Sequence, residues 1–93
     1  MARTRKVQMQ TPTGTQEWSI LLKKMRSYWG LCVWDKQQIH LHPAKSLESQ
    51  IKTRIHEASH VALGKDATEF PIERIEHNVF ELIKEFIPGL MED

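Results

Sequence analysis

The chain has 93 residues, 40% hydrophobic and 27% charged, one domain's worth of ordinary globular composition. A formal net charge of +1 argues against a dedicated nucleic-acid or membrane-surface binder. Cys32 is the only cysteine, which excludes an internal disulfide framework and suits a reducing compartment. No apolar run approaches the roughly 18 residues of a membrane helix, and no signal-peptide core follows the basic start, so a soluble cytoplasmic protein is expected. A domain this small buries only about 60–65% of its unfolded surface, and a bound metal would add its binding energy to a thin stability margin.

Residues 1–14 are polar and rich in Thr and Gln, with Arg3, Arg5 and Lys6 near the start, and read as a flexible basic arm. Thr13 or Thr15 then caps a predicted helix ending near Arg26 or Ser27, with Trp18, Leu21, Leu22 and Met25 on its inner stripe. From Tyr28 the period changes to two. Trp29, Leu31 and Val33 alternate with Gly30, Cys32 and Trp34, and Ile39 and Leu41 with His40 and His42. With Asp35-Lys36-Gln37-Gln38 between them, these runs predict a β-hairpin closed by Pro43.

Ser46 is the expected N-cap of a helix over 47–63, with Gly64 as its stop and Ile51, Ile55, Ala58 and Ala62 as its inward stripe. After a loop at 65–68, Pro71 suits the first helical residue of a last helix ending near Phe86. Its expected stripe is Ile72, Ile75, Val79, Ile83 and Phe86, with Leu82 beside it. The elements amount to an α+β domain over 15–87, a β-hairpin or small antiparallel sheet packed on three helices, followed by a short acidic tail at 88–93.

The chemistry lies in His56-Glu57-Ala58-Ser59-His60. Histidines four apart on a helix stand one above the other on one face. From there both imidazoles reach one tetrahedral zinc at about 2.0–2.1 Å. Glu57 stands beside such a metal rather than on it, where it can take a proton from an acidified water. The competing reading is two surface histidines and a glutamate on an ordinary amphipathic helix. The small Ala58 and Ser59 within the motif, and the apolar Ile55, Val61, Ala62 and Leu63 around it, favour the metal.

A third ligand follows from helix phase. At about 100° per residue from Ile72, Glu76 falls near 40°, at the margin of the apolar stripe, and Glu73 near 100°, facing outward. A carboxylate among isoleucines needs a cation or several hydrogen bonds. Glu76 is therefore expected ahead of Glu73, with Glu69, before Pro71, third. His40, His42 and His77 read as surface residues, Trp29 and Trp34 as core or cleft wall, and Cys32 as a small hydrophobe.

Over roughly 28–86 the chain resembles the minimal gluzincins and similar small HExxH proteins of bacteria and phages. The residues that carry the likeness are Arg54-Ile55-His56-Glu57-Ala58-Ser59-His60-Val61-Ala62-Leu63 and Ile75-Glu76-His77-Asn78-Val79. The resemblance implies a small zincin-like fold and a zinc peptidase. It also implies that His56, His60 and Glu76 are ligands, that Glu57 is the general base, and that a hairpin strand lies along an extended peptide substrate. Two other functions compete: a zinc-keeping module without catalysis that binds a protein partner, and an interaction domain without metal. Glu57 beside two ligands favours the peptidase, since a purely structural site needs no base and ordinarily has a fourth protein ligand.

Overall fold

A β-hairpin opens the chain. In a computed structural model that describes residues 4–43 and 46–87, β1 (Thr4–Thr11) pairs antiparallel with β2 (Gly14–Leu22), Val7 opposite Trp18 and Thr11 opposite Gly14. The turn is Pro12-Thr13. Gly14 takes the positive φ of 122° that side chains avoid, while Thr11 Oγ1 donates to the Gly14 carbonyl at 2.8 Å. Two expectations are thereby corrected. Within the supposed flexible arm of 1–14, residues 4–11 are a strand, and the supposed helix from Thr15 is β2. The run Trp18-Ser19-Ile20-Leu21-Leu22 fits both periods, and Thr13, Thr15, Trp18 and Ile20 favour an extended backbone. Arg5 and Lys6 are therefore strand residues, and Lys6 makes an exposed 3.8 Å ion pair with Glu17 on β2. Arg3 and the tail at 88–93 lie outside the described residues.

The predicted second hairpin is present as β3 (Gly30–Val33) and β4 (Gln38–Leu41), joined by a 3-10 turn at Trp34–Lys36. Gln37 closes that turn with a φ of 51°. The first hairpin docks against β4 rather than β3: β2 runs parallel to β4, with Ile20 opposite Ile39. The result is a four-stranded mixed sheet in the order β1-β2-β4-β3, not the small antiparallel sheet expected, and β3 lies at its edge.

Alternation places Val7, Met9, Trp18, Ile20, Cys32, Ile39 and Leu41 on one sheet face. Trp18 is fully buried there, its ring edge-on to Trp34 at a centroid distance of 5.0 Å. That face is covered by α1 (Leu47–Leu63), which inserts Val61 into the cluster. Each buried aliphatic side chain stabilises the cluster by about 1.5–3 kcal/mol. The predicted caps hold, since Ser46 Oγ accepts from Ser49 N–H at 3.2 Å and Gly64 ends the helix. The stripe is rotated, however. Glu57, Ser59 and Val61 are the buried residues, whereas Ala62 is exposed.

α2 (Glu69–Phe86) packs on α1 and starts two residues before Pro71. Proline is tolerated there because first-turn N–H groups have no intrahelical partner. Contacts pair His60 with Glu69, His56 with Glu76 and Lys52 with Phe80, so the helices run antiparallel. The inward face carries Glu69, Ile72, Glu76 and Phe80. Of the predicted stripe, Ile72 is buried, but Val79, Leu82 and Phe86 face solvent.

Candidate metal centre

Three side chains converge where the end of α1 meets the start of α2. Glu69 Oε2 lies 2.9 Å from His56 Nε2, and Glu69 Oε1 lies 2.9 Å from His60 Nε2. The rings of His56 and His60 are 4.9 Å apart between centroids, one helical turn from each other as their spacing requires. Among the described residues, His56, His60 and Glu69 form the group able to hold a metal ion, with one ligand atom from each lying within 4.8 Å of the others. Ligands of a tetrahedral zinc at 2.0–2.1 Å stand about 3.4 Å apart, a spacing that small side-chain rotations bring within reach of these donors.

Glu76, expected as the third ligand, sits elsewhere. Its Oε1 lies 2.9 Å from His56 Nδ1, on the far side of the ring from Glu69. Glu69 and Glu76 are seven residues apart and share the inward face, but about 10 Å of helix rise separates them. Glu76 is level with the outer nitrogen of His56, and Glu69 with both Nε2 atoms. Glu73 is exposed, as its phase predicts.

Proton accounting shows what this arrangement suits. An ionised carboxylate only accepts, so the contact to Glu76 makes Nδ1 of His56 a donor. In the neutral ring Nε2 then carries a lone pair, aimed at an oxygen of Glu69. Two acceptors at 2.9 Å repel unless a cation stands between them, either a proton on Nε2 or a metal ion. A carboxylate behind a ligating histidine is the usual means of fixing its tautomer and orientation, and Glu76 is placed for that task. Two imidazoles with one carboxylate suit zinc and similar divalent transition metals.

Glu57 stands beside this group, on the side of α1 that meets the sheet, and is only 7% exposed. Its Oε1 accepts a hydrogen bond from the Cys32 thiol at 3.2 Å. Burial, followed by the charge of Glu57 and this hydrogen bond, pushes the Cys32 thiol far above its ordinary pKa. Cys32 is thus a half-buried donor as well as the small hydrophobe expected. Gly30 permits the close approach, since a Cβ there would meet Glu57 Cγ and Oε2 at 2.9 Å. Two open clefts flank the motif. One, of about 390 Å³, runs beside His56 and Glu57 past Tyr28, Trp29 and Lys52. The other, of about 470 Å³, runs between β3 and the start of α2 past Glu57, His60 and Glu69. Tyr28 lines both.

His40 lies on the sheet face away from α1, with Nε2 3.1 Å from Gln38 Oε1. Partial burial, with Lys23 and Lys36 nearby, holds its pKa below the usual value. His42 meets Trp29 edge-on at 5.4 Å, and His77 is exposed on α2. None of the three belongs to the metal group. Sequence reasoning underrated Glu69 and missed the tie between Cys32 and Glu57. A signal for Glu69 existed: a short loop between two helices makes them antiparallel and sets the first turn of α2 against the last turns of α1. No described helix is long and apolar enough to cross a membrane. No protein-family model, curated protein or solved structure matches the chain.

Proposed function

We propose that this chain is a zinc-dependent peptidase of the zincin kind, with His56, His60 and Glu69 as ligands and Glu57 as general base. One observation carries the reading: two imidazoles of one helix face a shared carboxylate, and a buried glutamate follows the first of them in sequence. Zinc held there would supply Lewis acidity and lower the pKa of a water at its open position to about 7. The side chains divide the remaining work. Glu76 holds the Nδ1 proton of His56 and so keeps Nε2 free to ligate. Glu57, with Oε1 taken by Cys32, accepts the proton of the attacking water on Oε2 and passes it to the departing amine.

Substrate placement follows from the sheet. Among the described residues β3 pairs only with β4, so its outer backbone groups are open to an extended peptide, and the clefts lie along it. Exposed Tyr28 and Trp29 stand at the mouth of one cleft and offer apolar surface to a substrate side chain. The test is digestion of a peptide library by the zinc-loaded chain, read by mass spectrometry, with Glu57→Gln as the control. The reading requires new termini with the parent and none with the variant at equal zinc content.

The non-catalytic partner-binding module has one observation in its favour. Leu82 and Phe86, one helical turn apart, are 70% and 80% exposed on the outer face of α2 and together offer an apolar contact to a partner. A zinc-loaded chain that cleaves nothing in the library would turn the assignment to that module.

A further inference from the structure

β3 turns two residues toward Glu57, and the sequence of the strand is explained by what they do there. Gly30 and Cys32 are two apart on a strand and therefore share the face that meets α1. At Gly30 a Cβ would stand 2.7 Å from Thr53 Cγ2 and 2.9 Å from Glu57 Cγ and Oε2, closer than a methyl group can come. At Cys32 the thiol donates to Glu57 Oε1 at 3.2 Å, with Sγ also 3.6 Å from the Glu57 main-chain carbonyl. The two oxygens of one carboxylate thus have different neighbours, a thiol donor for Oε1 and bare strand backbone beside Oε2.

That asymmetry matters because the last torsion of a glutamate is soft. A terminal sp³–sp² torsion has a broad, roughly two-fold profile, so an untethered carboxylate swings through a wide arc. A donor on one oxygen and a wall beside the other remove most of that freedom. The thiol also packs against the core cluster of Trp18, Ile39, Leu41 and Val61, so the donor is itself anchored.

We propose that Cys32 is a positioning residue for the general base: its thiol, with the bare backbone of Gly30, fixes the carboxylate plane of Glu57 and leaves Oε2 to the reaction. The proposal rests on the peptidase reading for its kinetic consequence, but the contact itself stands apart from it. Neither Cys32 nor Gly30 belongs to the His56–His60–Glu69 group, so loosening the base leaves zinc content intact and slows the proton transfer.

The experiment uses the full zinc-loaded chain, its Cys32→Ala and Cys32→Ser variants, and a Glu57→Met variant. Misplacing a reacting group by about an ångström costs roughly 100-fold in rate, so Cys32→Ala is expected to lose about 10- to 100-fold in kcat. Zinc content should stay near the parent's while the melting temperature falls by a few degrees, because a buried carboxylate loses its donor. Cys32→Ser, which keeps a donor, should recover most of the rate. Because Cys32 is the only cysteine, the infrared S–H stretch reports on it alone. A hydrogen bond to a carboxylate lowers that frequency, and Glu57→Met should raise it. An unmoved S–H band overturns the proposal, as does a folded Cys32→Ala variant with the parent's kcat. If the parent hydrolyses no peptide, the peptidase reading fails. The S–H band then still decides whether the thiol holds Glu57.

Discussion

Replacing Glu69 and Glu76 one at a time separates a ligand from the group that orients one. Glu69 faces both Nε2 atoms at 2.9 Å, whereas Glu76 faces only Nδ1 of His56. Structural zinc sites with four ligands bind with about 10–16 kcal/mol, roughly 2.5–4 kcal/mol per ligand. Glu69→Ala should therefore weaken zinc binding about 70- to 900-fold. Groups that hydrogen-bond to a ligating histidine contribute about 10- to 100-fold, so Glu76→Ala should cost less, by about a factor of ten. Folding does not confuse the comparison, because Glu69 is 62% exposed and its loss leaves the metal-free helix pair packed as before. Competition against a chromophoric chelator measures both affinities, and circular dichroism of the metal-free variants verifies the fold. If Glu76→Ala loses as much zinc as Glu69→Ala, or more, Glu76 is itself a ligand and the assignment built on Glu69 is wrong.

Glu57→Gln should bind zinc like the parent yet hydrolyse nothing, because an amide cannot take the proton; equal turnover in the two would remove Glu57 from the chemistry. Gly30→Ala should lower stability by about 1–3 kcal/mol, since its methyl would stand 2.7 Å from Thr53 Cγ2. That predicts a melting temperature lower by roughly 5–20 °C, and an unchanged melt would show that β3 has room to retreat from α1. The raised thiol pKa of Cys32 gives a signed pH effect. Above about pH 9 the unfolded chain ionises its thiol and the folded chain does not, so stability is full below that pH and falls as pH rises. The slope, allowing for partial exposure, is about 1 kcal/mol per pH unit, and urea titrations at pH 8 and 10 should show it in the parent but not in Cys32→Ser.

The C-terminal half of the fold was legible because its signals are local and agree with one another. Ser46 and Gly64 mark the ends of α1, and a polar stretch between two alternating runs marks the β3–β4 hairpin. The N-terminal half was misread where the local signal is degenerate. Trp18, Leu21, Leu22 and Met25 fit a helix, but Trp18 and Ile20 also alternate, and only the sheet decides. Trp18 is fully buried because β4 offers a parallel edge and α1 a covering face, and neither is a property of residues 15–22. The same holds for helix stripes. α1 meets the sheet on one side and α2 on another, so Glu57 is buried while Ala62 is exposed, and counting apolar residues cannot find that face.

The metal group shows where phase reasoning ends and axial position takes over. Seven residues make nearly two full turns, so Glu69 and Glu76 differ by only about 20° around α2, and any argument from angle admits both. What separates them is height along the helix axis, set by the length of the α1–α2 connection. With α1 ending at Leu63 and α2 beginning at Glu69, the chain returns at once, and its first helical residue arrives level with His60. Glu76, two turns on, has passed both Nε2 atoms and reaches the back of His56 instead. A longer connection would slide α2 and bring Glu76 toward the histidine face. Three or four glycines between Lys65 and Thr68 should therefore weaken zinc binding more than a single one, as the Glu69 carboxylate loses its fixed height against His56 and His60. Zinc affinity indifferent to the length of that connection would mean that packing between α1 and α2, not the short loop, places the third ligand.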